Sequence, residues 1–342
     1  MGETARDALR VDDYHAHAPS PSSHVTLAEF AASPWASPPW LARVLAAAWG
    51  CIWGSFVNVV IHRVPRDVSV VRPGSQCPAC GSPLRAIDNI PVISWLLLRG
   101  RARCCGARIS PRYVVVELLG GLLGLAIFDV VVGALPGDTT IAHAAAIFLA
   151  DFALAMALLA AAFIDAEHMY LPDAVTIGGT IFGVATPGLR AMSWFDALFG
   201  AGIGFLGVWL PFIVGYKALR GRVGMGLGDA KLVMLAGAWF GWPGVVFAVF
   251  AGAVQATLAA GIVLLARGKI EEPESVRTDR EVLVRAADAG DEEARQALEA
   301  DPLGTAPAEG IMAARLPFGP FLCVAILEWM LAGAWIQERW EF

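Results

Sequence analysis

The chain has 342 residues, of which 57% are hydrophobic and only 16% are charged, with a formal net charge of −6. Soluble domains carry roughly a quarter of charged residues, so this composition excludes an ordinary soluble protein. Several apolar stretches reach the roughly 20 residues that a helix needs to cross a bilayer. The sequence therefore predicts an all-α polytopic membrane protein with about eight transmembrane helices.

In chain order, the composition changes five times and so divides the chain into six predicted segments. The first is polar and rich in Pro, Ser and Ala, which predicts a disordered tail. The segments are a tail at 1–39, a first membrane helix at 40–61, a small cysteine-containing domain at 62–112, a membrane core with helices two to seven at 113–267, an acidic insert at 268–313, and a last membrane helix at 314–338.

The membrane helices are predicted from uninterrupted apolar runs. The run at 230–266 is too long for one helix, and Trp242-Pro243 is expected to divide it because proline breaks a helix interior. The other predicted spans are 41–61, 113–135, 143–164, 174–189, 195–216 and 318–336.

Lys and Arg are concentrated in alternate loops. The loops 62–112, 166–173, 217–231 and 267–315 together hold 20 of the 25 basic residues. Because cytoplasmic loops carry an excess of Lys and Arg, these four loops are predicted to face the cytoplasm.

The negative net charge comes from one predicted cytoplasmic loop. Residues 268–313 carry twelve Asp and Glu against five Lys and Arg, so the charge indicates no nucleic-acid partner. Within this insert, two short helices are predicted to begin at the Asp caps Asp279 and Asp291. A solvated spacer between two membrane helices is the alternative interpretation.

Four cysteines in the first loop have a spacing close to that of a zinc site: Cys77, Cys80, Cys104 and Cys105. A CxxC followed by a second cysteine pair favours tetrahedral zinc, and a reducing cytoplasm disfavours disulfides. The second pair is not a CxxC, because Ala102 stands where its first cysteine would be. The sequence leaves two possibilities open, namely an irregular zinc site and a site that has been lost.

Two aspartates occur at predicted cytoplasmic ends of membrane helices, Asp165 in "FIDAEHMYLPD" and Asp229 in "GMGLGDAKL". Carboxyl groups at membrane depth are costly and mark candidate functional sites. Two carboxyl groups that share one proton form the device of aspartic proteases. Taken alone, Asp229 is explained as a helix cap and Asp165 as a polar helix end.

With these motifs, the sequence resembles the type IV prepilin peptidase family, the GxGD-type membrane aspartic proteases. The resemblance rests on "GSFVNVVIHRVP" at 54–65, "CPACGSPLRAIDNIPVISWLLLRG" at 77–100, "ARISPRYVVVELLGG" at 107–121, the two aspartate motifs, and "LPFGPFL" at 316–322. The order of these motifs is far more specific than the GxGD alone.

The resemblance implies that Asp165 and Asp229 are the catalytic pair. It implies cleavage of the basic leaders of prepilins or pseudopilins after Gly, at the cytoplasmic face of the bacterial inner membrane. It also implies S-adenosylmethionine-dependent N-methylation of the new terminus, with Glu117 as a methyltransferase-associated candidate, and the machinery of pilus or secretion assembly as a possible partner.

Candidate substrate-binding residues lie beside the two aspartates: Glu167, Asp173, Gly224, Gly226, Gly228 and Lys231. The acidic ones would attract a basic leader, and the glycines would allow an extended peptide to approach the backbone. Three other functions stay open at this point. They are a peptidase without methyltransferase activity, a GxGD protease that cuts within membrane spans, and an ion-coupled transporter in which the aspartates relay protons.

Overall fold

The computed structural model describes residues 25–33, 38–220, 224–300 and 316–340, and almost all of the regular structure in them is helical. The α-helices are α1 Leu27–Ala32, α2 Pro39–Arg63, α3 Ile93–Leu97, α4 Arg112–Ala126, α5 Ile141–His168, α6 Asp173–Ala185, α7 Trp194–Val208, α8 Tyr216–Arg220, α9 Leu227–Arg267, α10 Glu274–Asp288, α11 Glu292–Ala300 and α12 Gly319–Trp340. A π-helical stretch, Ile127–Val131, prolongs α4, and another, Trp209–Gly215, joins α7 to α8.

Six helices in the described part of the chain are long and apolar enough to cross a membrane, which makes this a multi-pass membrane protein. The expected number of eight is not confirmed. The predicted span 174–189 corresponds to α6, which has only 13 residues. The run 230–266 lies within α9, whose path is interrupted at Gly241 by non-helical angles (φ 66°, ψ −168°) just before Pro243.

The prediction of a disordered tail over 1–39 is wrong for residues 25–33, while 1–24 and 34–37 lie outside the described residues. Thr26 and Glu29 cap α1 reciprocally, with side-chain to backbone distances of 3.2 and 2.9 Å. The backbone N–H of Leu27 also donates to Thr139 O at 2.9 Å. These hydrogen bonds hold α1 against the turn that precedes α5.

α5 is the most buried of the long helices, and both hydrophobic cores of the protein include its side chains. One core joins α5 to α6, α7, α9 and α12 through residues such as Leu158 and Leu235. The other core joins α5 to α2 and α4 through residues such as Ile61 and Leu159. The C-terminal end of α5, which carries Asp165, is therefore held from both sides.

Small residues set the spacing between two helix pairs. A Cβ added to Gly54 of α2 would lie 2.8 Å from Glu117 Cα of α4, and one added to Gly200 of α7 would meet the backbone of Gly237 in α9. Close backbone approach through small residues is the common way for membrane helices to pack. In this protein it fixes Glu117 against α2, and the start of α9 against α7.

The acidic insert forms two helices, as predicted, but the first begins at a different residue. Asp291 accepts from the backbone N–H groups of Glu293 and Ala294 and caps α11, which confirms that cap. The expected cap at Asp279 is wrong, because α10 already begins at Glu274, after Pro273. Proline is favoured near a helix N-terminus, where its fixed φ costs nothing and its missing N–H is not needed.

Candidate active site

Asp165 occupies the last turn of α5, where the helix is forced to end. The backbone N–H of Met169, which adopts left-handed angles (φ 49°), closes the helix on Asp165 O at 2.9 Å, and Pro172 follows. The Asp165 side chain is buried, with 6% of the residue exposed. Gly319, the first residue of α12, lies directly against this carboxylate.

Asp229 lies in the first turn of α9 and is also buried, with 9% of the residue exposed. Its Oδ2 accepts a hydrogen bond from the backbone N–H of Gly226 at 3.2 Å. Asp229 therefore does cap its helix, although Gly226 occupies the N-cap position itself. A carboxylate in the first turn also interacts favourably with the helix dipole.

The fold brings the two aspartates within electrostatic range of each other, because α5 and α9 both pack against α12. Their carboxyl groups interact electrostatically, and the thiol of Cys323 in α12 lies within range of both. In the described residues, neither aspartate forms an ion pair with Lys or Arg. Two buried carboxyl groups in such proximity cannot both be ionised without a large electrostatic cost, so they are suited to hold one proton between them.

Gly319 and Cys323 line this site, but sequence reasoning gave neither of them a role there. They lie four residues apart and therefore on the same face of α12. A Cβ added to Gly319 would lie only 2.6 Å from Asp165 Oδ2. The signal was present in "LPFGPFL", but the motif alone does not say which other helix its glycine approaches.

The acidic residues near Asp165 have basic partners in the structure. Glu167 pairs with Arg112 at the start of α4, and its backbone oxygen accepts from the Ser275 hydroxyl of the insert. Asp173 pairs with Lys231, with Oδ1 and Nζ 2.6 Å apart. Lys231 thus contacts Asp173, at the edge of the site.

The three glycines of the GxGxGD stretch allow close packing and have ordinary negative or extended backbone angles. A Cβ on Gly224 would lie 3.0 Å from Phe212 O, and one on Gly228 would lie 3.2 Å from the Leu171 side chain. Side chains at these two positions would crowd those neighbours.

The four cysteines of the first loop converge, with all their sulfur atoms within 4.8 Å of one another. Cys77 and Cys105 have their Sγ atoms 3.8 Å apart, and those of Cys80 and Cys104 are 3.4 Å apart. Four sulfurs at about 2.3 Å from one zinc ion lie about 3.8 Å from each other in a tetrahedron. This donor set therefore fits zinc.

Two similar turns carry these cysteines, and they explain why Ala102 is tolerated. Gly81 N–H donates to Cys77 O in the first turn, and Gly106 N–H donates to Ala102 O in the second. Ala102 is thus the counterpart of Cys77, but it brings no sulfur atom. Cys104, two residues further along the second turn, supplies the missing sulfur and completes the cluster. Hydrogen bonding with Ser82 lowers the pKa of Cys80 to about 6, and hydrogen bonding with Cys80 raises the pKa of Cys104 to about 12.

A cavity of about 480 Å³ separates this cysteine domain from α2 and α4. Glu117, buried with 8% of the residue exposed, borders it and accepts from the backbone N–H of Val92 at 2.7 Å. Asn58 of α2 borders it as well. Polar groups from three separate segments of the chain therefore meet around one half-open cavity.

A helical membrane protein with a pair of buried aspartates at the ends of two helices has the arrangement that aspartic proteases use. Comparisons with known proteins agree with this class. Residues 48–130 match the family model "Bacterial Peptidase A24 N-terminal domain", and residues 152–262 match "Type IV leader peptidase family". The chain belongs to the type IV leader peptidase family.

Relatives that match most of the chain carry one name, prepilin leader peptidase/N-methyltransferase. The protein of Myxococcus xanthus is 35% identical over 84% of this chain and 90% of its own length. That of Aeromonas hydrophila is 36% identical over 66% of this chain and 83% of its own length, and that of Neisseria gonorrhoeae is 35% identical over the same shares. No solved structure matches the chain significantly.

Proposed function

We propose that this protein is a bifunctional membrane enzyme that cleaves the basic leaders of type IV prepilins or pseudopilins after Gly and then N-methylates the new N-terminal residue. The observation that carries the proposal is the burial of Asp165 and Asp229 within electrostatic range of each other, at the end of α5 and the beginning of α9. The names of the relatives and the match to the leader peptidase family support it.

In the cleavage step, the ionised carboxylate of the pair takes a proton from a water molecule. At the same time, the oxygen of that water molecule attacks the scissile carbonyl carbon. The protonated carboxyl group donates its proton to the carbonyl oxygen, which gives a neutral tetrahedral intermediate. When the intermediate collapses, the C–N bond breaks and the leaving amine takes up the proton acquired from water. The close packing of Gly319 limits the orientation of Asp165, and the hydrogen bond from the Gly226 N–H fixes that of Asp229.

Recognition of the leader would use the acidic groups at the edge of this site. Glu167 and Asp173 are each paired with one basic residue, Arg112 and Lys231. A Lys or Arg of the leader would exchange with these partners and gain a charge-assisted hydrogen bond. Such an exchange costs little where the ion pair is exposed, as it is at Asp173, whose side chain is 60% exposed.

S-adenosylmethionine and zinc are the cofactors that this proposal requires. When bound, S-adenosylmethionine supplies a methyl group to the new terminal amine, with the methyl–sulfur electron pair staying on sulfur and an amine proton passing to solvent. The cysteine cluster would hold zinc, which would cross-link the two turns of the domain, as structural zinc does elsewhere.

The proposed setting is the bacterial inner membrane, with the active site at the cytoplasmic face. The uneven distribution of Lys and Arg supports this orientation. The partners would be the lipid bilayer, the prepilin or pseudopilin substrates, and the pilus or secretion assembly machinery. A nucleic-acid partner is not part of the proposal.

The test is mass spectrometry of a prepilin with a basic leader and a Gly-Phe junction, incubated with the detergent-solubilised enzyme and S-adenosylmethionine. We expect a product cut after Gly, with one methyl group of extra mass. Asp165→Asn and Asp229→Asn should each slow cleavage by about 10²- to 10⁴-fold, the contribution of a positioned acid or base.

Asp196→Asn is the matched control, because Asp196 caps α7 together with Ser193 and lies apart from the aspartate pair. Normal cleavage by a folded Asp165→Asn or Asp229→Asn variant would contradict the peptidase assignment. Cleavage without added methyl mass would leave a peptidase only. The transporter alternative, which the comparisons do not favour, would require proton flux in proteoliposomes without cleavage.

A further inference from the structure

We propose that one surface of the segment 87–97 inserts into the cytoplasmic leaflet of the bilayer and binds anionic lipid as an interfacial anchor. This surface consists of four exposed apolar side chains, which we call the apolar face: Ile87, Ile93, Leu96 and Leu97. The inference rests on the proposed orientation of the membrane helices and is independent of cleavage and methylation.

The first observation is the exposure of the apolar face. Its four residues are each between 54% and 77% exposed, although their segment lies outside the membrane-spanning helices. In α3, Ile93, Leu96 and Leu97 are three or four residues apart and therefore lie on one side of the helix. Ser94 and Trp95 point the other way and border the cavity of the cysteine domain. Exposed apolar patches of this kind mark contacts with a membrane or with another protein.

Ser94 holds the two parts of the apolar face together. Its hydroxyl donates to Ile87 O at 2.7 Å and accepts from the Ile90 N–H at 3.1 Å. Its backbone N–H donates to Ile90 O, also at 3.1 Å. Ile87 is thereby fixed beside α3, and backbone groups of the segment are satisfied within it, as a backbone that enters a bilayer requires.

The second observation is the level of this segment relative to the membrane helices. The Val92 N–H, directly before α3, donates to Glu117 Oε2 at 2.7 Å. Glu117 lies five residues after Arg112, the first residue of α4, which is about 7.5 Å along that helix. Arg112 pairs with Glu167 near the end of α5, so these two helix ends lie at one level. α3 therefore begins beside the first turns of α4 rather than beyond its end, which is the depth of the membrane interface.

The third observation is the positive charge at both ends of the segment 87–97. Arg85 and Arg99 lie two residues outside these ends, and both are exposed. Neither forms an ion pair in the part of the chain that the structure describes. Asp88, the single acidic residue between them, is already paired with Arg103 at 2.8 Å. The two arginines are therefore available to the phosphate groups of lipids, which accept paired N–H donors.

The same charges decide between the possible occupants of the apolar face. A basic leader peptide would be repelled by Arg85 and Arg99. A second copy of this chain, docked through the same face, would bring like charges together. An anionic leaflet offers both an apolar interior for the four side chains and negative headgroups for the arginines.

The test is photo-crosslinking of the full chain in nanodiscs of phosphatidylglycerol and phosphatidylcholine, with Leu97 replaced by p-benzoyl-phenylalanine. After irradiation, mass spectrometry of the digested protein should show a lipid adduct on the peptide that contains position 97. Val282 is the matched control position, because it is 57% exposed but lies in α10 of the acidic insert. We expect a lipid-adduct yield at position 97 at least about fivefold higher than at position 282.

The charge contribution is tested in the same assay. Nanodiscs of phosphatidylcholine alone, and the double variant Arg85→Gln/Arg99→Gln, should each lower the yield about two- to fivefold, because each removes the attraction to headgroups. Equal yields with and without anionic lipid would overturn the role of the arginines.

A lipid-adduct yield at position 97 no higher than at position 282 would overturn the anchor. A crosslink from position 97 to a second copy or to an added prepilin, instead of lipid, would assign the apolar face to that partner and overturn the anchor as well. If the photoreactive residue at position 97 prevents folding, position 96, on the same side of α3, decides by the same criteria.

Discussion

Gly319→Ala should impair cleavage although it adds only one methyl group. The added Cβ would lie 2.6 Å from Asp165 Oδ2 and 2.9 Å from its Cγ. Ordinary contacts of a Cβ begin at 3.4 Å, so the carboxylate or the start of α12 must move by about 0.8 Å.

The expected magnitude follows from the required displacement. A misplacement of about 1 Å at a catalytic group costs on the order of 10²-fold in rate, so we expect a kcat lower by about 10- to 100-fold. KM should change little, because the leader's charged groups would bind at the edge of the site, near Asp173. Helix stability should not fall, since alanine is the better helix former.

The assay is steady-state cleavage of a prepilin in detergent, with the product quantified by mass spectrometry. Gly261→Ala in α9 is the control, because a Cβ at that position meets nothing within 4 Å. The thermal unfolding midpoint of each variant shows whether it is folded. A folded Gly319→Ala enzyme with the kcat of wild type would refute the reasoning that Gly319 positions Asp165.

Three further predictions concern the metal, the insert and the helix packing. Cys104→Ser should retain much less zinc than wild type after dialysis against a chelator, measured by elemental analysis, whereas Cys51→Ser in α2 should retain as much; equal retention would exclude Cys104 as a ligand. Asp279→Asn, which removes an acidic charge within electrostatic range of the end of α5, should raise KM for a basic leader about two- to fivefold at low salt; a salt-independent effect would contradict the electrostatic explanation. Gly200→Ala should destabilise the α7–α9 contact by about 1–3 kcal/mol and lower the thermal midpoint, while Gly202→Ala, with nothing within 4 Å, should not; equal midpoints would show that α9 can move aside.

The structure also shows where local patterns were sufficient and where they misled. The cap at Asp291 was predicted correctly, because a capping side chain bonds to backbone only two or three residues away. The start of α10 was placed too late, because Pro273 begins that helix without any capping side chain. The order in residues 25–33 could not be foreseen, since it depends on hydrogen bonds to residues 137–141, far along the chain.

The cysteine domain is an intermediate case. The number and approximate spacing of its cysteines already favoured zinc, but the irregular pair Cys104-Cys105 left the site in doubt. The tertiary structure shows that the turn around Ala102 repeats the turn around Cys77, and that Cys104 supplies the fourth sulfur. Whether the four sulfur atoms converge depends on loop conformation, which is not encoded in residue spacing alone.

The sequence by itself determined the membrane class, the apolar helices and the two candidate aspartates. These features depend on hydropathy and on chemistry within short segments, which a single chain displays directly. Only the tertiary structure decided which groups share a site: Gly319 with Asp165, and Asn58 with Glu117 around one cavity. Each of those pairs joins residues on different helices, and the close packing of glycine-bearing helix faces, which no local pattern specifies, brings them into contact.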